Sequence, residues 1–177
     1  MREIEFMGPS ERIIGITIPE NQAFYVLNHD EILKVEITDT LEFKLTDMDP
    51  YKFIEESNSF IGIEVSDTGP ILSVGDKAVS YSFAPADDYV KVTCNISEKI
   101  ETITFPILSG DWFFATLSKD GRYLVLAEPY ELAVYDLQNG IRCLQQKNKS
   151  ERSLIMKLYA YIRRIICLLY TSDAADE

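Results

Sequence analysis

The chain holds few side chains able to do acid–base, nucleophilic or metal chemistry, and their spacing argues against most such uses. One histidine, His29, occurs in 177 residues. It lies in Asn28-His29-Asp30, with no second or third imidazole to share a metal ion. A Ser-His-Asp triad assembles through space, so spacing alone leaves one open around His29, but no Gly-x-Ser-x-Gly elbow accompanies it. Asp47 and Asp49 begin like a calcium loop. The sixth and twelfth positions, which need Gly and Glu, hold Lys52 and Asn58 instead. The adjacent pairs Glu55-Glu56 and Asp87-Asp88 would point to opposite faces of a strand and read as solvated turns rather than acid–base dyads. No phosphate-binding loop or dinucleotide fingerprint is present. Cys94, Cys143 and Cys167 form neither a CxxC pair nor a zinc pattern. Cys94 and Cys143 fall in apparent strands and read as buried reduced thiols. The sequence therefore assigns no catalytic residue, no cofactor and no metal.

Charge says more about partners. The formal net charge is −12. Residues 1–144 carry 11 Lys and Arg against 25 Asp and Glu, whereas residues 145–166 carry six basic groups against Glu151 alone. Nucleic-acid surfaces neutralise phosphates with clustered Lys and Arg, so an acidic body excludes that class of partner. It suits a self-repelling soluble surface, or one that meets a basic protein. The first fifteen residues lack the apolar core of a secretory signal. The expected compartment is the reducing cytoplasm, where the acceptor patterns Asn95-Ile-Ser97 and Asn148-Lys-Ser150 carry little weight.

The elements that would position any site are strands. Aromatics are plentiful and β-branched residues dense, which favours pleated structure. Residues 10–50 read as a meander: IIGITI, AFYVLN, EILKVEI and TLEFKLTD, with Leu41, Phe43 and Leu45 sharing one face of the last run. A second unit, 58–106, opens on FIGIEV and continues through PILSVG, AVSYSF, YVKVTCNI and KIETITF, one strand more than four. The third, 110–146, is WFFATLS, a Lys119-Asp120-Gly121 turn, RYLVLAE, ELAVYDL and IRCLQQ, with Trp112 opening its first strand. Gly-containing turns between apolar runs mark hairpins. Ile14–Ile18 matches Ile61–Val65 at a spacing of 47, and Gly69 matches Gly121 at 52.

Self-similarity at this period with four strands per unit resembles the blades of β-propellers, the WD40-like repeats among them. Tyr135-Asp136 stands where the Trp-Asp dipeptide would end a third strand, and no Gly-His pair precedes a unit. The resemblance implies an all-β fold of three consecutive antiparallel meanders; the alternative is a β-sandwich or barrel. It also implies that neighbouring units stack to bury their apolar faces, so that three blades alone would leave two such faces bare.

Residues 150–166 change period. Leu154, Ile155, Leu158, Ile162, Ile165 and Ile166 line one side of an expected basic amphipathic helix within 147–166. It would pack on its own domain or touch a membrane surface, but Lys157, Arg163 and Arg164 interrupt any spanning run. Residues 167–177, CLLYTSDAADE, resemble a translated sequencing-library adapter, which implies a non-native tail and an N-terminal fragment of a longer protein.

The functional expectation is a non-catalytic interaction module of propeller type. Its turns, represented by Asp39, Asp67 and Asp120 together with Trp112, would meet a protein or peptide with a basic surface. Two alternatives stand beside it. One is a small acidic inhibitor or immunity-type binding protein; the other is a truncated propeller enzyme whose catalytic residues lie elsewhere.

Overall fold

A computed structural model describes residues 12–56, 60–62, 68–138 and 140–144. Among the described residues thirteen strands form three antiparallel sheets, and one short helix lies between two strands of the first. In the first sheet, β1 (Gly15–Thr17), β2 (Ala23–Leu27), β3 (Ile32–Ile37) and β4 (Leu41–Leu45) run as a meander. Helix α1 (Pro50–Glu56) follows, and β5 (Phe60–Gly62) then returns to pair with β1. The second sheet is β6 (Ser73–Val74), β7 (Lys77–Tyr81), β8 (Tyr89–Ile96) and β9 (Lys99–Pro106). The third is β10 (Phe114–Leu117), β11 (Tyr123–Glu128), β12 (Glu131–Asp136) and β13 (Arg142–Leu144).

The third sheet lies between the other two. Every residue of β11 is buried, and alternate residues face different neighbours. Tyr123, Val125 and Ala127 join Ile16, Val26, Val35 and Ile61 of the first sheet in one core. Leu124 and Leu126 join Val79, Val92, Cys94 and Phe105 of the second sheet in another. A strand buried on both faces needs an unbroken apolar run, which is what Tyr123-Leu-Val-Leu-Ala127 supplies. Strands with one wet face should alternate, and β8 does so, with Val90, Val92 and Cys94 inward and Lys91, Thr93 and Asn95 on the other face.

Several expectations require correction. Phe60–Gly62 belongs to the first sheet and does not open the second unit. The matching segments at 14–18 and 61–65 are sheet partners at their described residues, with Gly15 opposite Gly62 and Ile16 opposite Ile61. Phe60 explains the two glycines. Its ring is 2% exposed and lies over both, so that a Cβ at Gly15 would come within 2.2 Å of it and one at Gly62 within 2.6 Å. The turn glycine equivalent to Gly121 is Gly75 rather than Gly69: φ is +60° and +68° at Gly75 and Gly121, whereas Gly69 precedes β6 outside any hairpin. In chain order the second unit would be the middle layer, yet the third is. The two outward faces are not bare and apolar. That of the first sheet carries Phe53 and Ile54 of α1 and Met48 over Leu27, Ile32 and Phe60, and that of the second presents Lys91, Thr93 and Asn95. Helix α1 was not expected, since Asp47 to Tyr51 reads as a turn closing the first meander; its start is nonetheless built from Asp49-Pro50. Asp49 Oδ1 accepts hydrogen bonds from the N–H groups of Tyr51 and Lys52, and Pro suits the first helical position. The expected helix within 147–166, the adapter-like tail 167–177 and Asp67 lie outside the described residues.

Candidate functional site: the two loop-bearing ends

Antiparallel meanders send alternate connections to opposite ends, and hydrogen bonds between connections show which of them gather together. At one end Lys119 joins the third sheet to the first. Its N–H donates to Pro19 O at 3.1 Å and its Nζ to Glu20 at 2.7 Å. Lys77 Nζ donates to Gly121 O at 2.9 Å, bringing in the β6–β7 turn, and Ser97 Oγ donates to Asp76 at 2.6 Å, bringing in the β8–β9 turn. Ile37 N–H donates to Gln22 O, which places the β3–β4 turn beside the β1–β2 turn. Leu137 N–H donates to Arg122 O, adding the β12–β13 connection. Six connections of three sheets thus share one hairpin end.

The turns there are built tightly. Asn21 and Gln22 have φ of 51° and 60°, and Ser97 and Glu98 have 48° and 69°. Both pairs match type I′ hairpins, whose twist suits the flanking strands. Asp120, exposed at its tip, closes the β10–β11 turn. Its Oδ1 accepts from Ser118 Oγ at 2.5 Å and from Arg122 N–H at 3.0 Å. Burial pushes its carboxyl up, but the Ser118 hydroxyl and the N–H of Arg122 outweigh that and hold it below the ordinary aspartate value. Arg122 reaches across to Asp136 at 3.1 Å, and Asp136 also accepts from Gln138 N–H. Asp39 sits exposed in the neighbouring β3–β4 turn, between Thr38 and Thr40, whose own bonds close it.

The far end carries the connections 28–31, 46–49, 82–88, 107–113 and 129–130. They hold seven carboxylates (Asp30, Glu31, Asp47, Asp49, Asp87, Asp88 and Asp111) and no Lys or Arg. The hairpin-end connections hold Glu20, Asp39, Asp76, Glu98 and Asp120 against Lys119 and Arg122. Most of the acidity therefore sits opposite the predicted turns. Arg12, just before β1, pairs with Asp111 at 2.9 Å, and Ile13 N–H donates to Pro129 O.

Trp112 belongs to this far end and precedes β10 rather than starting it. It stacks on Phe114 at 5.0 Å with the rings 5° apart. It is partly buried, and its Nε1 finds no hydrogen-bond partner among the described residues. The structure thus brings Asp39 and Asp120 to one end and Trp112 to the other. Sequence reasoning missed Glu128, fully buried at the close of β11, whose carboxylate accepts from Leu108, Ser109 and Tyr130 N–H and from Ser109 Oγ. A charged residue ending an apolar run just before Pro129 was its only signal.

Other candidate groups do not assemble a chemistry. His29 is exposed in the β2–β3 turn. Among the described residues no set of three or more His, Cys, Asp or Glu is arranged to hold a metal. Cys94 is buried, and burial, aided by Glu101, pushes its thiol up to about 11. Cys143 is exposed, contrary to its reading as a buried thiol. It lies across from Tyr135, whose phenol is raised to about 12 by burial first and by Cys143 next. No described helix is long and apolar enough to cross a membrane. Comparison with known protein families, curated proteins and solved structures finds no match.

Proposed function

We propose that this chain is a non-catalytic interaction module of propeller type that acts in the cytoplasm and docks a protein or peptide on its hairpin end. The gathering of six turns from three sheets at one end supports this reading, because loops on a rigid scaffold are the usual place for recognition. Asp39 and Asp120 stand in that surface, Asp39 as an exposed contact and Asp120 chiefly as the brace of its turn.

The charge distribution favours a second reading, a small acidic binding protein that covers a basic surface. On that reading the far end, with its seven carboxylates and Trp112, is the contact. One experiment separates the two. Peptides are selected on the intact protein from a random display library, and the bound site is mapped by amide shift changes. Changes confined to the hairpin turns, and lost in Asp39→Lys/Glu98→Lys, support the first reading. Binders rich in Lys and Arg that perturb 82–88 and 107–113, and fail on Asp87→Lys/Asp88→Lys, support the second. Failure to select any binder above background refutes both.

A further inference from the structure

Each of the three sheets has two edges, and natural sheets blunt their edges by keeping them short, covering them or placing charge or proline there. Five of the six edge strands are short, at two to five residues. Strand β9, with eight residues, is not. Its bonding pattern shows which groups are open. Just past the strand, Ile107 N–H donates to Asp88 O. Bonded and non-bonded pairs alternate along an antiparallel ladder. Lys99, Glu101, Ile103 and Phe105 therefore bond to β8, while Ile100, Thr102 and Thr104 turn their N–H and C=O groups away from it. Among the described residues nothing pairs with those groups. The open stretch is bounded on both sides. The Ser97-Glu98 turn, at φ of 48° and 69°, closes one side, and Pro106, which has no N–H, closes the other.

The side chains divide between two faces. Ile103 and Phe105 are buried against the third sheet. Ile100, Thr102, Thr104 and Pro106 share the outward face, and all four are exposed. Ile100, at 73%, is the most exposed of the large hydrophobic side chains described. Tyr89, also exposed, stands beside Pro106 at the opposite end of the same face. Within one chain these two apolar spots are about 20 Å apart, the length of Ile100 to Pro106 along a strand.

We propose that β9 is a self-association edge, and that two copies of this chain join β9 to β9, antiparallel, about a two-fold axis at Thr102. The two second sheets then form one continuous sheet. In this register Thr102 faces Thr102, and Ile100 faces Thr104 of the other copy. Every outward N–H meets an outward C=O, three from each copy, and none is left over. The same two-fold lays Ile100 diagonal to Pro106 of the other copy and near its Tyr89, within side-chain reach. An unlike strand would have to carry its own match for both apolar spots, whereas a second copy supplies that match at both ends. Moving the axis to Ile100 would pair Lys99 with Glu101, but it would run the ladder into the Ser97-Glu98 turn. The cost of the Thr102 register is Glu101 lying diagonal to Glu101 of the other copy. Both are exposed, so water and salt screen them. Pairing uses up the long edge of each copy, so the assembly closes at two. The surface runs along the side of the second sheet, and the inference does not depend on what binds at either loop-bearing end.

Sedimentation equilibrium of the full chain at about 0.15 M salt tests this. A ladder this short with two small apolar contacts makes a modest interface, so a reversible monomer–dimer equilibrium with a dissociation constant of about 10–100 μM is expected. Thr102→Pro removes the central outward N–H but none of the bonds to β8, and Ile100→Lys removes the apolar contact. Each should weaken association at least about tenfold while leaving the circular dichroism spectrum unchanged. Thr102→Cys sets two thiols opposite each other with Cα atoms about 5.5 Å apart, within disulfide reach. Oxidised glutathione should link two copies there, as non-reducing electrophoresis and peptide mapping would show. Thr93→Cys, on β8 beside Thr102, should not link. A chain that stays monomeric up to about 1 mM overturns the proposal and leaves the edge to an unlike strand. So does a dimer that survives both Thr102→Pro and Ile100→Lys, or linking at Thr93→Cys as complete as at Thr102→Cys. Should Thr102→Pro fail to fold, Ile100→Lys and the two cysteine variants decide the matter.

Discussion

Replacing Gly15 by Ala adds one methyl group in a place with no room for it. The new Cβ would sit 2.2 Å from the edge of the Phe60 ring and 2.5 Å from Ile61 O. The ring can turn away, but the carbonyl belongs to β5, which pairs with β1 through Gly15 itself, so relief requires those strands to part. Overpacking a closed site costs about 1–3 kcal/mol. Turning Phe60 out of its seat forfeits part of the roughly 2–3 kcal/mol that burying such a ring contributes. The expected loss is about 3 kcal/mol, a large share of the roughly 5–15 kcal/mol that holds a typical domain together. Guanidinium unfolding followed by circular dichroism measures it as a lower midpoint at an unchanged slope. Two comparisons isolate the cause. At Gly69 no heavy atom lies within 4 Å of an added Cβ, so Gly69→Ala should stay within about 0.5 kcal/mol of wild type. Phe60→Ala removes the ring, so combining it with Gly15→Ala should cost at least about 1 kcal/mol less than the two separate losses together. A Gly15→Ala loss below about 1 kcal/mol, or strict additivity with Phe60→Ala, would refute the steric reasoning.

Other outcomes follow from the turns and thiols. Gln22→Gly converts Asn21-Gln22, both at positive φ, into the Asn-Gly pair that such turns prefer, and should raise stability by about 0.5–1 kcal/mol in the same unfolding assay. Asp120→Ala removes two hydrogen bonds that close the β10–β11 turn and should cost about 1–2 kcal/mol, while Asp39→Ala stays near neutral. Because Asp120 is held below its ordinary value, its contribution is present above that ordinary value and disappears as pH falls through the lowered one. The gap between wild type and Asp120→Ala should close in acid unfolding curves. With its thiol raised to about 11 and buried, Cys94 should resist alkylation near pH 8 until denaturant is added, whereas exposed Cys143 should react in the native state, as peptide mass mapping would show.

Much of the strand content was legible because its cause is local. The alternation in YVKVTCNI reports one wet face and one dry face, and TLEFKLTD is a strand as well, although its burial fades from Leu41 to the exposed Leu45. The unbroken run in RYLVLAE carried a further meaning, burial on both faces, which set the third sheet in the middle. Partner choice was not legible. Ile-Gly-Ile repeated at a spacing of 47 reads equally as two equivalent strands or as two strands lying side by side, and only the Phe60 ring over paired glycines decides for the second. Gly69 resembled a turn residue by its neighbours, but positive φ, not composition, defines the role, and Gly75 holds it. Among candidate residues, Asp39 and Asp120 fell at one end because meanders alternate their turns. Trp112 went to the other for the same reason, since it precedes the strand that the Asp120 turn follows. Glu128 stayed hidden because its significance lies in four donors from loops about twenty residues away or just beyond it.

The placement of the last-made sheet between the two earlier ones has a consequence for how the chain acquires its shape. During synthesis the segments up to Pro106 emerge first. Neither of their sheets can cover its inward side until Phe114–Leu144 arrives to fill the space between them. Local hairpins can form early, but consolidation waits on bringing together residues far apart in sequence, such as Ile16 and Val125 of one core, which slows folding. The nascent protein therefore passes through a stage with sticky, half-covered β surfaces, the state in which newly made chains most need chaperones to prevent aggregation.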